Sequence, residues 1–350
     1  MSTADVTVLG AGIFGLSVAW ACQRRGARIR VIDPRGVGAG SSGGIVGALA
    51  PHTPENWNEK KQFQFESLIM AQPYWAEVEA ASGLAPGYAR LGRLQPVADA
   101  RALALARQRA QGAADLWQGK ALWQIEEAGQ RAGWEPQSPT GAIIYDTLSA
   151  RVHPRRAVQA LARAIVENGG EIIAGTAAAK GLVVHATGYE GLLELAQQLD
   201  QPVGNGVKGQ ALLLGHDAQD MPQLFADSLH IVPHADGTVA VGSTSERAWT
   251  EATSTDAQLD AVHERAIAAF PILRDAPVLE RWAGVRPRAK SRAPLLGHHP
   301  VHTGAFIANG GFKIGFGMAP KVGEVMADLI LDGRDTIPAG FRPEASLRAR

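Results

Sequence analysis

The chain is short of cysteine: its 350 residues hold one, Cys22, so no internal disulfide framework exists. That usage suits a reducing compartment, and a cytoplasmic location is expected. Neither sign of charge dominates, since 34 basic residues stand against 34 acidic ones. The balance leaves no electrostatic footprint for nucleic acid or an anionic membrane. A membrane span is missing too. The apolar stretch VTVLGAGIFGLSVAWAC, from Val6, is shorter than the ~20 residues a span needs. It is broken by glycines, no Lys or Arg precedes it, and no small-residue cleavage site follows. Metal spacing is absent among His52, His185, His298 and His299, so no metal is expected. There is no internal repeat and no disordered linker. These absences point to a small-molecule partner and leave self-association to a homo-oligomer open.

What is present alternates in an α/β manner. Residues 6–9 read as a strand, 13–25 as a helix stopped by Gly26, and 29–33 as a second strand, making one βαβ unit. A helix-rich middle follows, including an Ala/Arg/Gln-rich run over residues 98–119 that reads as a solvated helix. VHPRRAVQALARAIVENGGEI predicts a helix with Pro154 at its first turn, an apolar face of Val158, Leu161, Ala162, Ile165 and Val166, and Gly169 as stop. EII returns the chain to the sheet, and GLVVHATG is a buried strand closing on small residues at Gly188. LHIVPHADGTVAVGSTSE predicts a hairpin turning at Asp236-Gly237 in a type I′ turn, and with GQALLLG it predicts an antiparallel second sheet. The expected architecture is α/β, a Rossmann-type domain of residues 1–84, 149–205 and 281–350 with an antiparallel-sheet second domain of residues 85–148 and 206–280.

GAGIFG puts Gly10, Gly12 and Gly15 in the GxGxxG spacing between strand and helix. There glycine permits a tight turn, close approach of a pyrophosphate and close helix–sheet packing, while the helix N-terminus supplies amide donors. Asp33, at the end of the next strand, suits the ribose hydroxyls of an adenosine and repels a 2′-phosphate, although Arg35 stands nearby. The motif alone leaves NAD and FAD open. An NAD enzyme would continue with regular βα units, whereas this sheet resumes only near Glu171, which favours FAD.

In order along nearly the whole chain, GAGIFG with Asp33, SSGGIVGALAP, PVGNGVKGQ, HIVPHADGTVAVG, WAGVRP and GGFKIGFGMAP resemble the D-amino-acid oxidase, glycine oxidase and sarcosine oxidase group of flavoproteins. The resemblance implies that Ile13 and Phe14 line the FAD diphosphate, Asp33 and Pro34 the adenosine, Ser41 and Ser42 the phosphates, and Val46, Gly47 and Ala48 the isoalloxazine. Ala178 would touch adenine through its backbone. FAD held without a covalent bond is implied, because the family's attaching cysteine lies late in the chain and Cys22 does not.

The loop GGFKIG contributes Gly310, Gly311, Phe312, Ile314 and Gly315 to the flavin side. It leads into a helix expected to begin at Pro320, whose amides and dipole would face the negative charge of a reduced flavin. Lys313 is then a cation in a partly dry site, which calls for an anion. Arg286 of WAGVRP is its natural partner, since a guanidinium can hold a carboxylate through two parallel hydrogen bonds. His230, where relatives often carry tyrosine, is expected either to reach the amine or carboxylate side of the pocket or to be a buried, hydrogen-bonded core histidine. The implied reaction removes two electrons from the C–N bond of an amino acid or secondary amine with a carboxylate, giving an imine, with dioxygen as acceptor. Alternatives are a dehydrogenase passing electrons to a quinone or electron-transfer protein, a flavin domain of the tRNA-modifying kind, and a flavin-binding protein without turnover.

Overall fold

The alternation of VTVL and IRVID buries Val6, Val8, Ile29, Val31 and Ile32, so both strands sit inside a sheet covered on its two faces. The computed structural model describes residues 5–131 and 133–347. In it Val6–Leu9 pairs in parallel with Ile29–Asp33, Val6 opposite Ile29. The full order is Glu171–Ala174, Ile29–Asp33, Val6–Leu9, Leu182–His185, Phe306–Asn309 and Leu295–His298. Every neighbour is parallel except the last pair.

The helix Ile13–Arg24 is buried from Ile13 to Cys22 and lies against the helix Gly315–Asp332. Their approach depends on Gly323, where a Cβ would come within 2.6 Å of the Ser17 carbonyl oxygen. The helix Pro154–Glu167 starts at Pro154 as expected and buries Val158, Leu161, Ala162 and Ile165. Val166 instead remains 45% exposed. The middle run forms the helix Ala100–Leu116, capped by Asp99, whose carboxylate accepts the amide of Ala102.

The second sheet has eight strands: Val278–Ala289, Gly204–Gly215, Thr238–Gly242, Leu229–Pro233, Gln223–Ala226, Arg93–Pro96, Ala142–Asp146 and Trp123–Glu127. Its neighbours are antiparallel except Gln223–Ala226 with Arg93–Pro96. A separate apolar core lies on it, built from residues such as Leu212, Val241, Val262 and Phe270. The domain boundaries read from sequence cut into two of these strands: 205/206 falls inside Gly204–Gly215 and 280/281 inside Val278–Ala289. The outer ends of the expected FAD domain, residues 1–4 and 348–350, lie outside the described residues.

Two local expectations need correction. The hairpin loop is longer than a two-residue turn, because pairing stops at Pro233 and resumes at Val239 and only Gly237 takes a positive φ, 77°. Asp236 instead uses its carboxylate to accept the hydroxyl of Thr238, at 2.6 Å. A two-residue loop with both φ positive does occur one hairpin earlier, at Asp227 (47°) and Ser228 (62°). The last long helix begins at Gly315, not Pro320, which sits inside it. Among the described residues no helix is long and apolar enough to cross a membrane.

Gly323→Ala is expected to destabilise the protein by about 1–3 kcal/mol, because backbone on the facing helix must shift. Gly340→Ala, with nothing within 4 Å of its added methyl, should stay within about 0.5 kcal/mol of the parent. Denaturant unfolding midpoints compare the two directly.

Candidate active site

A cavity of about 990 Å³ runs between the sheets, at the upper end of the ~300–1,000 Å³ usual for small-molecule sites. It is lined at one end by Gly10, Asp33, Pro34 and Gly188, in the middle by Gly12, Ile13, Phe14, Ser41 and Ser42, and further on by Val46, Gly47 and Ala48. At the other end come His230, Arg286, Gly310, Gly311, Phe312, Lys313 and Gly315.

The glycine-rich turn is built for close backbone approach. Gly10 has φ 110°, and an added Cβ would meet the Ala186 carbonyl oxygen at 2.3 Å; one on Gly15 would sit 2.0 Å from the Gly10 carbonyl oxygen. Gly15 is therefore a packing residue and does not line the cavity. Asp33 is fixed by two backbone donors, Oδ2 accepting from Ala11 and Oδ1 from Arg35, both at 2.9 Å. The Arg35 guanidinium is itself held by both oxygens of Glu190, at 2.8 and 3.0 Å, and so is turned to a carboxylate instead of a 2′-phosphate. Ser42 Oγ accepts the amide of Ile13 at 2.9 Å. That amide is consequently satisfied within the protein, and the serine keeps its own hydroxyl proton to donate.

Two expected contacts fall elsewhere. Ala178 does not line the cavity; its carbonyl accepts from Arg30, while Gly175, Thr176 and Ala177 take the lining position. Ile314 is the N-cap of the last long helix and also lies outside the lining, whereas Gly315 and Phe316 of its first turn are inside it. The free amides of that helix start thus face the cavity one and a half turns earlier than Pro320 suggested.

The cationic end is organised by strand pairing. The amide of Phe312 donates to the Pro287 carbonyl at 3.0 Å, and Gly311 bridges Arg288, so the GGFK loop is stitched to the end of the WAGVRP strand. Phe312 takes φ 44°, in the left-handed region. Its ring has Arg286 Cζ at 5.7 Å, Arg288 Cζ at 5.7 Å and Lys313 Nζ at 5.8 Å from its centroid. Arg286 and Lys313, 27 positions apart in the sequence, therefore meet at one aromatic ring.

Sequence reasoning did not find what holds Arg286. Its Nη1 donates to Ser243 Oγ at 2.8 Å, and Nη2 donates to the carbonyls of Lys208 at 3.1 Å and Thr244 at 2.7 Å. With one Nη1 and both Nη2 hydrogens engaged, the expected two-pronged grip through Nη1 and Nη2 is lost, and the guanidinium keeps the second hydrogen of Nη1 beside the Ser243 hydroxyl and a buried, unpartnered Nε–H. The guanidinium occupies the space above Gly209, whose added Cβ would lie 2.3 Å from Nη2. Gly209 in the PVGNGVKGQ motif was the available signal, but only the register placing it opposite Gly284 makes it readable.

Burial pushes Arg286 down to about 10, Glu246 opposing weakly, and lowers Lys313, with Arg286 and Arg288 adding to the shift. The acids lining the cavity, Asp33, Glu190 and Glu194, stand on the strand and helix flanking the glycine-rich turn; among the described lining residues none stands beside Phe312. His230 is pushed down to about 3 by burial and then by Arg93 and Lys313, and its Nδ1 is buried without a partner. His298 is outside the cavity, and His185 and His299 gather with His302.

A parallel sheet with a glycine-rich turn, an acid closing the next strand and a long cavity reaching a second sheet defines a dinucleotide-dependent enzyme. The chain matches the family described as FAD dependent oxidoreductase over residues 5–329, and it belongs to that family. It is 27% identical to the glycine oxidase of Pseudomonas putida strain KT2440 over 376 aligned positions, covering 98% of this chain and 99% of that one. Among solved structures it resembles glycine oxidase from Geobacillus kaustophilus, with a TM-score of 0.83 at 19% identity, covering 97% of this chain and 98% of that one. It also resembles iminodiacetate oxidase from Chelativorans sp. BNC1, with a TM-score of 0.79 at 22% identity and the same two coverages, 97% and 98%. The protein is an FAD-dependent oxidoreductase of the glycine oxidase and amino-acid oxidase type.

One histidine outside the reacting end ties the cavity wall to the second sheet. His234, 1% exposed, donates through Nε2 to the carbonyl of Ile45, at 2.8 Å. Burial pushes it down to about 4, opposed by the Ile45 bond and Asp236 and assisted by His153 and Arg151. A depressed histidine contributes stability that is complete above its unfolded value of about 6.5 and is lost as pH falls toward the folded value. His234→Gln should therefore flatten the acid side of a stability–pH curve by up to ~1.4 kcal/mol per pH unit, read from unfolding midpoints across that window.

Proposed function

We propose that this enzyme oxidises the C–N bond of a small amino acid or secondary amine bearing a carboxylate, giving an imine that water hydrolyses, with dioxygen taking the electrons and two protons as hydrogen peroxide. The observation that carries this reading is the pairing of Arg286 and Lys313 around the Phe312 ring, at 5.7 and 5.8 Å, with no acid among the described residues lining that end. Two partly desolvated cations favour an anion between them, and a substrate carboxylate supplies it.

The residues present fit FAD: an acid-closed adenosine end, a turn whose glycines leave room for phosphates, and a nearly side-chain-free Val46-Gly47-Ala48 wall. Bound FAD supplies the two-electron acceptor for the reaction. Attachment is noncovalent in this reading, since Cys22 is buried on the first helix with its thiol pushed up to about 12. Gly10, Gly12, Ile13, Phe14, Ser41 and Ser42 would hold the diphosphate, and Asp33 with Pro34 the adenosine.

At the reacting end Arg286, through Nη1 and its partner Ser243, would orient the carboxylate, and Lys313, drawn to the same Phe312 ring, would neutralise it. Holding the acid fixes where the C–N bond lies, which is the protein's main contribution when the cofactor does the chemistry. His230, kept neutral with an unpartnered Nδ1, can accept an N–H of the substrate amine. The names of the relatives, glycine oxidase and iminodiacetate oxidase, support an amine with at least one carboxylate.

Mixing the holoenzyme without oxygen against glycine, sarcosine, proline, iminodiacetate and D-amino acids should bleach the yellow spectrum with some of them, and admitting air should return the colour with peroxide. Arg286→Lys should raise KM for the productive acid by at least about tenfold. Gly209→Ala should act in the same direction by displacing the guanidinium. If dithionite bleaches the enzyme and no member of the panel does, the amine-oxidation reading fails.

A further inference from the structure

Three imidazoles that the proposed reaction does not use stand together where the strand Leu182–His185 ends. His185 pairs with Ile307 there, next to the turn joining Leu295–His298 to Phe306–Asn309. His299 and His302 come from that turn, in the segment HPVH. The ring centroids are 4.4 Å apart for His185 and His299, 4.5 Å for His299 and His302, and 5.2 Å for His185 and His302. One ligand-capable nitrogen of each lies within 4.8 Å of the others.

The turn is held in the shape that brings its two histidines together. The amide of His299 donates to the Ala305 carbonyl at 2.8 Å, and that of Ala305 donates to the His302 carbonyl at 3.1 Å. His299 Nδ1 accepts the amides of Val301 and His302 at 3.2 and 3.1 Å. A nitrogen accepting two N–H groups carries no proton, so it can ligate once those amides are released. Both donors belong to exposed residues, where water can replace a long hydrogen bond at small cost.

We propose that His185, His299 and His302 form a binding site for a divalent transition cation of the zinc class, with the remaining coordination position left to water. Three neutral imidazoles are the donor set such an ion takes, with metal–nitrogen bonds of ~2.0–2.1 Å and hence nitrogens about 3.3 Å apart in tetrahedral geometry. Reaching that spacing from 4.8 Å asks each ring to move by about an ångström. His302, being exposed, can supply most of it by side-chain rotation.

The local electrostatics suit a cation. The carboxylate of Glu194 acts on His185 and favours positive charge there. Because His185 immediately precedes Ala186, whose carbonyl faces Gly10 of the glycine-rich turn, a bound ion would clasp the outer hairpin to the strand that supports the nucleotide end.

The test uses tag-free holoenzyme dialysed against micromolar zinc, with metal per chain measured by elemental analysis and FAD per chain by absorbance. The parent is expected to retain one zinc per chain. His302→Ala and His299→Ala should weaken binding by at least about tenfold, while His298→Ala, altering an exposed histidine outside the cluster, should bind as the parent does. An unchanged FAD content and unfolding midpoint in His302→Ala shows that the loss is of ligands and not of the fold. Zinc retained equally by the parent and the His302→Ala/His299→Ala double variant, or no retained zinc in the parent, overturns the proposal.

Discussion

The arrangement at the reacting end depends on one antiparallel pairing, of Gly204–Gly215 with Val278–Ala289. Its register sets Val207 opposite Arg286 and Gly209 opposite Gly284, and the missing side chain at position 209 is what gives the guanidinium a place to lie. Carbonyls of Lys208 and Thr244 and the Ser243 hydroxyl then absorb part of the cost of burying that charge. From the same strand Pro287 and Arg288 capture the GGFK loop, so the second cation arrives at the Phe312 ring through backbone hydrogen bonds of the first cation's own strand.

The cavity is consequently polarised along its length. Acids line the end beside the glycine-rich turn, and cations gather at the end beside the second sheet. Arg35, the cation closest to Asp33 in sequence, is drawn off by Glu190; this exposed pair adds little stability but decides what the acid end presents. At the opposite end Arg286 and Lys313 are partly desolvated with no acid among the described lining residues beside them, which is how a site draws an anionic ligand out of water.

The two sheets are joined across the cavity wall by small contacts. His234 reaches from the hairpin loop to Ile45, and Arg151 Nη1 donates to the Pro233 carbonyl at 2.7 Å beside it. These bonds fix the Val46-Gly47-Ala48 wall relative to the antiparallel sheet. Gly47 contributes by absence, since an added Cβ would lie 1.8 Å from the Val152 carbonyl oxygen.

The amino-acid sequence by itself determined the βαβ unit, Asp33 at its strand end, Pro154 at a helix start and most of the cavity-lining loops, because each is written in a short period or a turn of a few residues. It misplaced the start of the last long helix, since Pro320 mimics a first-turn proline while Gly315 and Gly317 hide the true beginning. It read Asp236-Gly237 as a tight turn although strand pairing there stops early, and it put Ala178 where Gly175, Thr176 and Ala177 stand. Only the tertiary structure decided that Gly209 makes room for Arg286, that Phe312 gathers the cations, and that His185 meets His299 and His302. Each of these is a meeting of segments distant in sequence or hidden in a loop, set by strand register and backbone path, and no local pattern records which residue will stand opposite which.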